Sequence, residues 1–413
     1  MKQAYRVAGI DVHKSMLAVV ITDVSAEGEF HFERRKFGTV DSQLKALSEW
    51  LSEQQVQEAV MESTAQYWKP VWRQLEGQCK LHLAQAQSNR APRGRKGDFR
   101  DAERLVKRHV AGELILSFVP DVEQRLWRTV TRTKYQLTRD RVRLQNQLEA
   151  FLEDARLKLG TCVSDLLGVS SQRILRAVAD GQTDPHFLAT LVEENLRATP
   201  EQLADALTAV PSLSRLHRDI LKLFLDRFDL LDSQIQKLHR QIAQALHSHQ
   251  QAVVRLAAIP GLAVDSAQQI VAEVGPTAAT FPSPQHLASW VGVCPGREES
   301  AEVSKSNRSP KGNRTMRRLL NQAANAAIKS QGSIFQLHYR RMVIRMGHNK
   351  AIWAIAHRLC KLVWTLLHRG LDYIEYGAER SVQALQRRTA KQLRQLRALG
   401  YHIIPPTKTE PSA

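Results

Sequence analysis

Four acidic residues have types and spacing that suit phosphoryl-transfer chemistry. Asp11 lies one residue before the end of the apolar run YRVAGIDV, and Glu62 ends a later run, VQEAVME. Asp98 and Asp101, in KGDFRDAERL, are three residues apart and would therefore share one face of a helix. Converging carboxylates repel one another unless cations neutralise them, and oxygen-only ligands suit Mg²⁺ or Mn²⁺. Two such ions about 4 Å apart would stabilise both the attacking and the leaving oxygen of a phosphoryl transfer.

Each acid alone has an ordinary structural explanation. Asp11 could cap a strand end, glutamates such as Glu62 are common there, and the Asp98/Asp101 pair could be a solvated helix face. The combination of a strand aspartate, a later strand glutamate and a helical aspartate pair favours a metal site. Eight Arg or Lys residues lie between 89 and 108, where a phosphate backbone would approach the metals. Four of them precede Asp98, and three of these are candidate phosphate contacts: Arg93, Arg95 and Lys96.

Alternating strands and helices must position these acids. The apolar pattern predicts strands at 5–12, 17–24, 29–37, 56–62 and 79–85, helices at 41–51 and 67–77, and then a further helix that carries Asp98 and Asp101. Asp41 or Ser42 is the expected N-cap of the first helix. This order predicts an α/β domain on a mixed sheet, in which adjacent strands bring Asp11 and Glu62 to one edge.

The middle of the chain is predicted to consist of long helices. The stretch 122–159 is charged and lacks proline and glycine, and the stretch 216–247 has apolar residues at alternating steps of three and four. These apolar residues are Leu221, Phe224, Phe228, Leu231, Ile235, Leu238, Ile242 and Ala245. Two helices packed within one chain and a dimer-forming coiled coil are equally compatible with this pattern.

The C-terminal part is predicted to be mostly helical. LAAIPGLAVDSAQQIVAEVG indicates a helix, a tight turn and a helix, similar to a helix-hairpin-helix element, and 313–370 is helical in period. Between them lies a loop rich in glycine, serine and basic residues, whose backbone amides would favour anions. Six basic residues form a candidate phosphate surface: Lys305, Arg308, Lys311, Arg314, Arg317 and Arg318. The stretch 339–370 adds seven Arg or Lys and no acid.

Composition favours a nucleic-acid partner. The formal net charge is +18 and the sequence pI is about 10.0, a balance that attracts phosphates. A membrane protein is not expected, because no apolar run approaches the roughly 18 residues that span a bilayer. The start lacks the apolar core of a secretory signal, so we expect a cytoplasmic protein. Four widely spaced cysteines form no CxxC pair, which predicts reduced thiols.

Together these motifs resemble the DEDD insertion-sequence transposases related to the Piv site-specific DNA invertases, a family that includes bridge-RNA-guided recombinases. The likeness covers most of the chain. It rests on GIDVHK, MESTAQYW and KGDFRDAERL in the N-terminal part, and on LAAIPGLAVDSAQQIVAEVG, FPSPQHLASWVGVCPGREESA and KGNRTMRRLL in the C-terminal part. It implies a RuvC-like domain of RNase H type at 1–120, a helical coiled-coil region at 121–250, a serine-bearing transposase domain at 251–372 and a basic tail at 373–413.

The resemblance also implies a mechanism and partners. Ser300 takes the position of the family's nucleophile, although Ala301 replaces the glycine that normally follows it, and Ser304 and Ser306 are alternatives. The acidic cluster would activate the serine for a phosphoserine link to DNA, with the two halves of the site coming from different subunits. The implied partners are the element ends and target DNA, a structured guide RNA and further copies in a dimer or tetramer, in the bacterial cytoplasm at the nucleoid.

Two other functions remain compatible with the residues. A RuvC-like junction nuclease would use the same acids with water as the nucleophile. A non-catalytic nucleic-acid-binding relative is the other, but clustered carboxylates are costly to retain without a function.

Overall fold

The computed structural model describes residues 5–24, 30–63, 65–86, 97–192, 198–295, 298–300, 303–306 and 309–377, together with 390 and 394; for 298–300 and 303–306 only the backbone is described. The chain forms two compact units, Met1–Asp121 and Val122–Ala413. The domain divisions expected at 120, 250 and 372 remain predictions.

Unit 1 contains a five-stranded mixed sheet. Its strands are β1 (Tyr5–Val12), β2 (Met16–Val24), β3 (Glu33–Gly38), β4 (Glu58–Glu62) and β5 (Lys80–Ala84). They are ordered β3-β2-β1-β4-β5, with β2 antiparallel to β1 and β3, and β4 parallel to β1 and β5. This order confirms the predicted α/β class and is the arrangement expected of a RuvC-like domain.

Successive side chains along a strand point to opposite faces of the sheet, and both faces of this sheet are apolar. One face, with Ile10 and Val12, packs against helices α1 (Asp41–Glu53) and α2 (Trp68–Leu75). The other face, with Val7 and Val60, packs against α3 (Asp98–Val110) through Ala102, Leu105 and Val106. The sheet is therefore covered by helices on both sides, as parallel strands require.

The N-cap of α1 was predicted wrongly. Val40 occupies that position without a side-chain cap, and Asp41 is already helical. Because Asp41 lies in the first turn, its carboxylate meets the positive end of the helix dipole and also pairs with Lys45 at 2.8 Å.

Unit 2 is built from helices and one small hairpin. The helices are α4 (Val122–Asp154), α5 (Leu159–Cys162), α6 (Val169–Ala179), α7 (Pro185–Ala189), α8 (Pro200–Ala206), α9 (Arg215–Ala245), α10 (Gln250–Ala257), α11 (Val264–Val274), α12 (Pro284–Val291), α13 (Arg314–Ala327) and α14 (Ile334–Arg369). The hairpin pairs β6 (Glu298–Ser300) with β7 (Val303–Ser306) in antiparallel fashion. Of the described helices, none combines the length and hydropathy needed to cross a membrane.

The two long helices predicted for the middle of the chain, α4 and α9, pack on each other within the chain. Leu144 and Leu148 of α4 share a buried core with Leu221, Leu225 and Phe228 of α9. Small helices α6 to α8 complete this core. Of the two alternatives that the apolar seam left open, this half of α9 shows packing within the chain, whereas Ala245, at the end of the seam, is exposed.

The IPGLA turn between α10 and α11 packs closely against α13. Gly261 has φ +87°, and a Cβ there would lie 2.3 Å from the Ala323 carbonyl oxygen, so only glycine fits. The predicted helix, turn and helix is confirmed. Its use as a phosphate-binding helix-hairpin-helix stays a prediction. All four cysteines are free, as expected.

Candidate active site

Asp11 and Glu62 lie at the same edge of the sheet. β1 and β4 are parallel neighbours, and their register pairs Val7 with Glu58 and Ile10 with Met61. The next pair in this register is Asp11 and Glu62. Because Val7 and Val60 face α3, the two-residue period of a strand turns Asp11 and Glu62 toward α3 as well.

Helix α3 approaches the sheet closely enough to bring two more acids to this edge. A Cβ at Gly9 would lie 2.4 Å from the Ala102 carbonyl oxygen and 2.7 Å from Val106 Cγ2, so a larger residue at this point of β1 would displace the helix. Asp98 and Asp101 occupy the first turn of α3. Their carboxylates therefore project at the end of the helix that lies beside the end of β1.

The best-defined part of the cluster consists of Asp11, His13 and Asp98. His13 Nε2 lies 3.0 Å from Asp11 Oδ2 and 3.6 Å from Asp98 Oδ1, and one ligand atom from each of the three residues falls within 4.8 Å of the others. Lys36 Nζ is 3.8 Å from Asp98 Oδ2. This geometry could hold a cation with carboxylate ligands and one imidazole.

The pKa of Asp11 reports the electrostatic cost of the cluster. Its side chain is only 17% exposed, and burial raises the pKa of its carboxyl group above the ordinary value. Interaction with His13 opposes this shift, whereas the charges of Asp101 and Asp98 add to it. Asp11 therefore lies in the field of both helical acids, and a bound cation would relieve that repulsion.

The outer members of the cluster have further partners. Asp101 Oδ1 lies 3.3 Å from Arg104 Nη1 on the next turn of α3. Glu62 also takes part in interactions within the described part of the chain. The structure thus brings together Asp11, Asp98 and Asp101, with Glu62 beside Asp11 in the strand register.

Two residues of this site were missed at the level of sequence. His13 follows Asp11 by two positions in GIDVHK, and that i, i+2 spacing beyond the strand end was the available signal. Lys36 had no such signal, because β3 and α3 are more than 60 residues apart in sequence. Their approach depends on tertiary packing.

The predicted phosphate-binding residues fall into three groups. Arg93, Arg95, Lys96 and Arg308 lie outside the described residues, and only the backbone of Lys305 is described. Lys311 and Arg314 are exposed. Arg317 and Arg318 are the third group, and both make intrachain contacts.

Arg317 holds the base of the segment that carries Ser300. Its Nη1 donates to the Gly292 carbonyl and, at 3.1 Å, to the Pro310 carbonyl, and its guanidinium lies over the Trp353 ring. Gly292 and Gly312 permit the same approach, because a Cβ on Gly312 would lie 2.3 Å from the Val291 carbonyl oxygen. These contacts close the loop at its two ends.

Arg318 points to the other side of α13. Its Nη2 donates to Gln269 Oε1 at 2.7 Å, and its guanidinium lies 3.6 Å from the centroid of the Tyr135 ring. Burial lowers its pKa, with the neighbouring charges of Asp265 and Glu273 opposing that effect.

The candidate nucleophiles lie on the hairpin rather than in an irregular loop. Ser300 ends β6 opposite Val303, and Ser304 and Ser306 lie opposite Glu299 and Glu298. Pairing of the two strands gives the three serines defined places along the backbone. Which of them reacts stays a prediction.

A buried carboxylate ties the helix after this hairpin to the rest of unit 2. Glu273 is fully buried; its oxygens accept hydrogen bonds from Arg132 Nε at 2.7 Å, Arg132 Nη2 at 2.9 Å and Asn313 Nδ2 at 3.0 Å, and Arg128 Nε lies 3.4 Å away. Asn313 in turn caps α13 by accepting from the Met316 amide. The network fixes where the KGNRTMRRLL motif enters its helix.

Comparison with known proteins gives two family matches. Residues 8–156 match the family model described as DEDD_Tnp_IS110, Transposase, and residues 253–340 match the model described as Transposase IS116/IS110/IS902 family. The first match includes the four acids and the second includes the hairpin with Ser300.

Two curated proteins are similar over part of the chain. The insertion element IS900 uncharacterized 42 kDa protein of Mycobacterium paratuberculosis is 25% identical over 177 residues, which are 42% of this chain and 44% of that protein. The insertion element IS110 uncharacterized 43.6 kDa protein of Streptomyces coelicolor is 26% identical over 137 residues, 33% of each chain. The chain thus matches less than half the length of either relative.

Proposed function

We propose that this chain, assigned by its two family matches to the IS110/IS116/IS902 transposases, cuts and rejoins DNA at the ends of an insertion sequence. The observation that carries the proposal is the convergence of acids at one sheet edge. Asp11 and Glu62 end neighbouring parallel strands, and Asp98 and Asp101 begin the helix packed on that face.

A divalent cation fits this donor set. The pKa of Asp11 is raised by burial and by two neighbouring carboxylates, an arrangement that favours a cation over an empty site. Asp11, Glu62, Asp98 and Asp101 would hold Mg²⁺ or Mn²⁺, both of which prefer oxygen ligands. Bound there, such ions neutralise charge on the phosphate and on the oxygens that attack and leave.

The chain's own residues orient and tune this site. His13 hydrogen-bonds Asp11 and thereby fixes the carboxylate's orientation, and it favours the ionised, ligating form. Lys36 places a positive charge next to Asp98. Close packing at Gly9 holds α3, and with it both helical acids, at a set distance from β1.

The proposed nucleophile is Ser300. Its hydroxyl oxygen would form a bond to a DNA phosphorus while the bond from that phosphorus to one sugar oxygen breaks, leaving a phosphoserine ester. Attack of a second strand's hydroxyl on this ester would release the serine and rejoin the DNA. The serine gives up its proton as it attacks and the released sugar oxygen takes one up, and the acidic cluster is proposed to activate the serine for this exchange.

Proposed partners follow from charge and exposure. Lys311 and Arg314 beside the hairpin, with the Arg93 to Lys96 segment, are proposed to contact the phosphates of DNA or of a structured RNA encoded by the element. Arg317 and Arg318 are proposed to act by positioning the hairpin and α13. Leu216, Leu223 and Leu230 form an exposed stripe of heptad spacing on α9, which supports assembly into a dimer or tetramer.

The test is capture of the covalent intermediate. Purified protein is incubated with Mg²⁺, RNA from the flank of the element and end-labelled junction DNA, and a denaturant-resistant protein–DNA adduct is expected. The adduct should vanish in Ser300→Ala and persist in Ser304→Ala and Ser306→Ala. Cleavage without any adduct would instead identify a nuclease that uses water, and persistence of the adduct in Ser300→Ala would reassign the nucleophile.

A further inference from the structure

A second cluster of metal-ligand side chains lies at the opposite end of α3. Glu58 of β4 accepts hydrogen bonds at the same oxygen, Oε2, from His82 Nε2 of β5 at 3.0 Å and from His109 Nε2 of α3 at 2.9 Å. The two imidazole rings are 4.3 Å apart between centroids. One donor atom from each residue lies within 4.8 Å of the others.

This cluster is separate from the acidic one. Glu58 and Glu62 are four residues apart on one face of β4, about 13 Å at the usual rise of a strand. Asp98 and His109 are eleven residues apart on α3, about 16 Å along a helix. The proposed transposase chemistry does not use any of the three residues.

The cluster is enclosed, and its donors differ in kind from those of the acidic site. The side chains of His82 and His109 are 11% and 12% exposed, and Glu58 is 22% exposed. Imidazole nitrogens suit Zn²⁺ and related transition metals, whereas Mg²⁺ prefers oxygen. Two histidines and one glutamate are a known zinc ligand set, which leaves a fourth position for water.

One imidazole of the cluster, that of His82, is biased toward the neutral form that binds metal. Burial and the neighbouring His109 lower the pKa of His82, which favours its neutral ring. Lys80 Nζ lies 3.3 Å from Glu58 Oε1, but its side chain is 68% exposed and can withdraw into solvent. The ion pair with Lys80 therefore does not close the point where the three donors meet.

We propose that Glu58, His82 and His109 bind one Zn²⁺-class ion that fastens the C-terminal half of α3 to β4 and β5. Each ligand comes from a different element, so the ion crosslinks three parts of unit 1. By stabilising α3 against the sheet, it supports the helix whose other end bears Asp98 and Asp101. The role is positioning rather than contact with DNA.

The test measures zinc directly on the full-length protein. The protein is stripped with a chelator, dialysed, and supplied with Zn²⁺ in the presence of saturating Mg²⁺, and bound zinc is counted by elemental analysis. We expect one tightly bound zinc per chain in the wild type and in the exposed-histidine control His31→Ala. His82→Ala and His109→Ala should lose it, while Asp11→Asn, which alters the acidic site, should keep it.

Several outcomes would overturn the proposal. These are a wild type without zinc, His82 and His109 variants that retain it, or loss of zinc only in Asp11→Asn. Because a buried histidine variant could unfold, a second measurement uses the wild type alone. Stripped protein should gain several degrees in Tm on adding Zn²⁺, and Co²⁺ should produce the visible absorption of a four-coordinate nitrogen-containing site. An unchanged Tm with a Co²⁺ spectrum like that of the free ion would contradict the site.

Discussion

Two carboxylates, Asp11 in unit 1 and Glu273 in unit 2, are both shielded from solvent to different degrees, but the charges around them have opposite signs. Glu273 is fully buried and is neutralised by Arg128 and Arg132 of its own chain. Asp11 is partly buried, and the charges of Asp98 and Asp101 add to the effect of burial on its pKa. Only His13 opposes that shift among the causes resolved for it.

The contrast separates a carboxylate that has internal partners from one whose surroundings suit a cation. A buried charge with internal partners stabilises one arrangement of helices, and removing one partner leaves the others uncompensated. A half-buried carboxylate among like charges costs stability until a cation arrives from outside. We therefore expect opposite consequences when each carboxylate is replaced by its amide.

The largest effect is expected on catalysis from Asp11→Asn. A metal site that loses one charged ligand forfeits several kcal/mol of transition-state stabilisation, about 10³-fold or more in rate. Cleavage of end-labelled junction DNA should fall by this factor, while binding in a mobility-shift assay stays close to wild type. Exposed Glu53→Gln is the matched control, and full cleavage by Asp11→Asn would refute the metal-site assignment.

Glu273→Gln is expected to reduce stability instead. The amide cannot neutralise Arg128 and Arg132, and breaking a buried ion pair costs about 3 kcal/mol. Urea denaturation should show this loss, and the exposed Asp226→Asn on α9 should show almost none. An unchanged urea midpoint would contradict a stabilising role for the contacts of Glu273.

Gly9→Ala tests whether packing, rather than ligand chemistry alone, sets the acidic site. The new methyl group would overlap the Ala102 carbonyl oxygen, and overpacking of this kind costs about 1–3 kcal/mol. We expect a lower Tm together with weaker Mg²⁺ binding, since α3 must move away from β1. Normal Tm and normal Mg²⁺ affinity would show that the contact is not restrictive.

His13→Ala should give a smaller and pH-dependent effect. A hydrogen bond to a charged group contributes about 1.5 kcal/mol, roughly tenfold in activity. Because His13 lowers the pKa of Asp11, its loss raises that pKa further, and protons then compete with Mg²⁺ up to a higher pH. The acid limb of the activity profile should shift upward in pH, unlike that of the exposed control His31→Ala.

The smallest effect is a gain in stability of metal-free Asp11→Asn. Burial raises the folded-state pKa of Asp11 above its unfolded-state pKa. Stability is therefore lost as pH rises from the unfolded-state pKa through the folded-state pKa, and it stays lost at higher pH. The amide removes this penalty. At neutral pH without metal we expect a slightly higher Tm than in the wild type, which corresponds to a gain of about 1 kcal/mol or less in the free energy of unfolding. With Mg²⁺ added, the wild type should become the more stable of the two. A lower metal-free Tm would contradict the proposed repulsion.

Much of the architecture follows from local sequence patterns. The strand and helix periods predicted the α/β order of unit 1, the long helices α4 and α9, and the two helices joined by a tight turn at IPGLA, because each pattern records which side of an element is buried. The predicted N-cap of α1 was wrong by one residue. Asp41 lies in the first turn of the helix, where its carboxylate pairs with Lys45, and not at the capping position before it.

The sequence by itself singled out the four acids as a predicted metal site and placed them at strand ends and on one helix face. It could not determine that His13 and Lys36 join them, that Arg317 closes the base of the Ser300 hairpin, or that Glu58 meets His82 and His109. These contacts join residues from separate elements. Strand register and the close approach of α3 at Gly9 bring such residues together, and both depend on packing of the whole unit rather than on any local pattern.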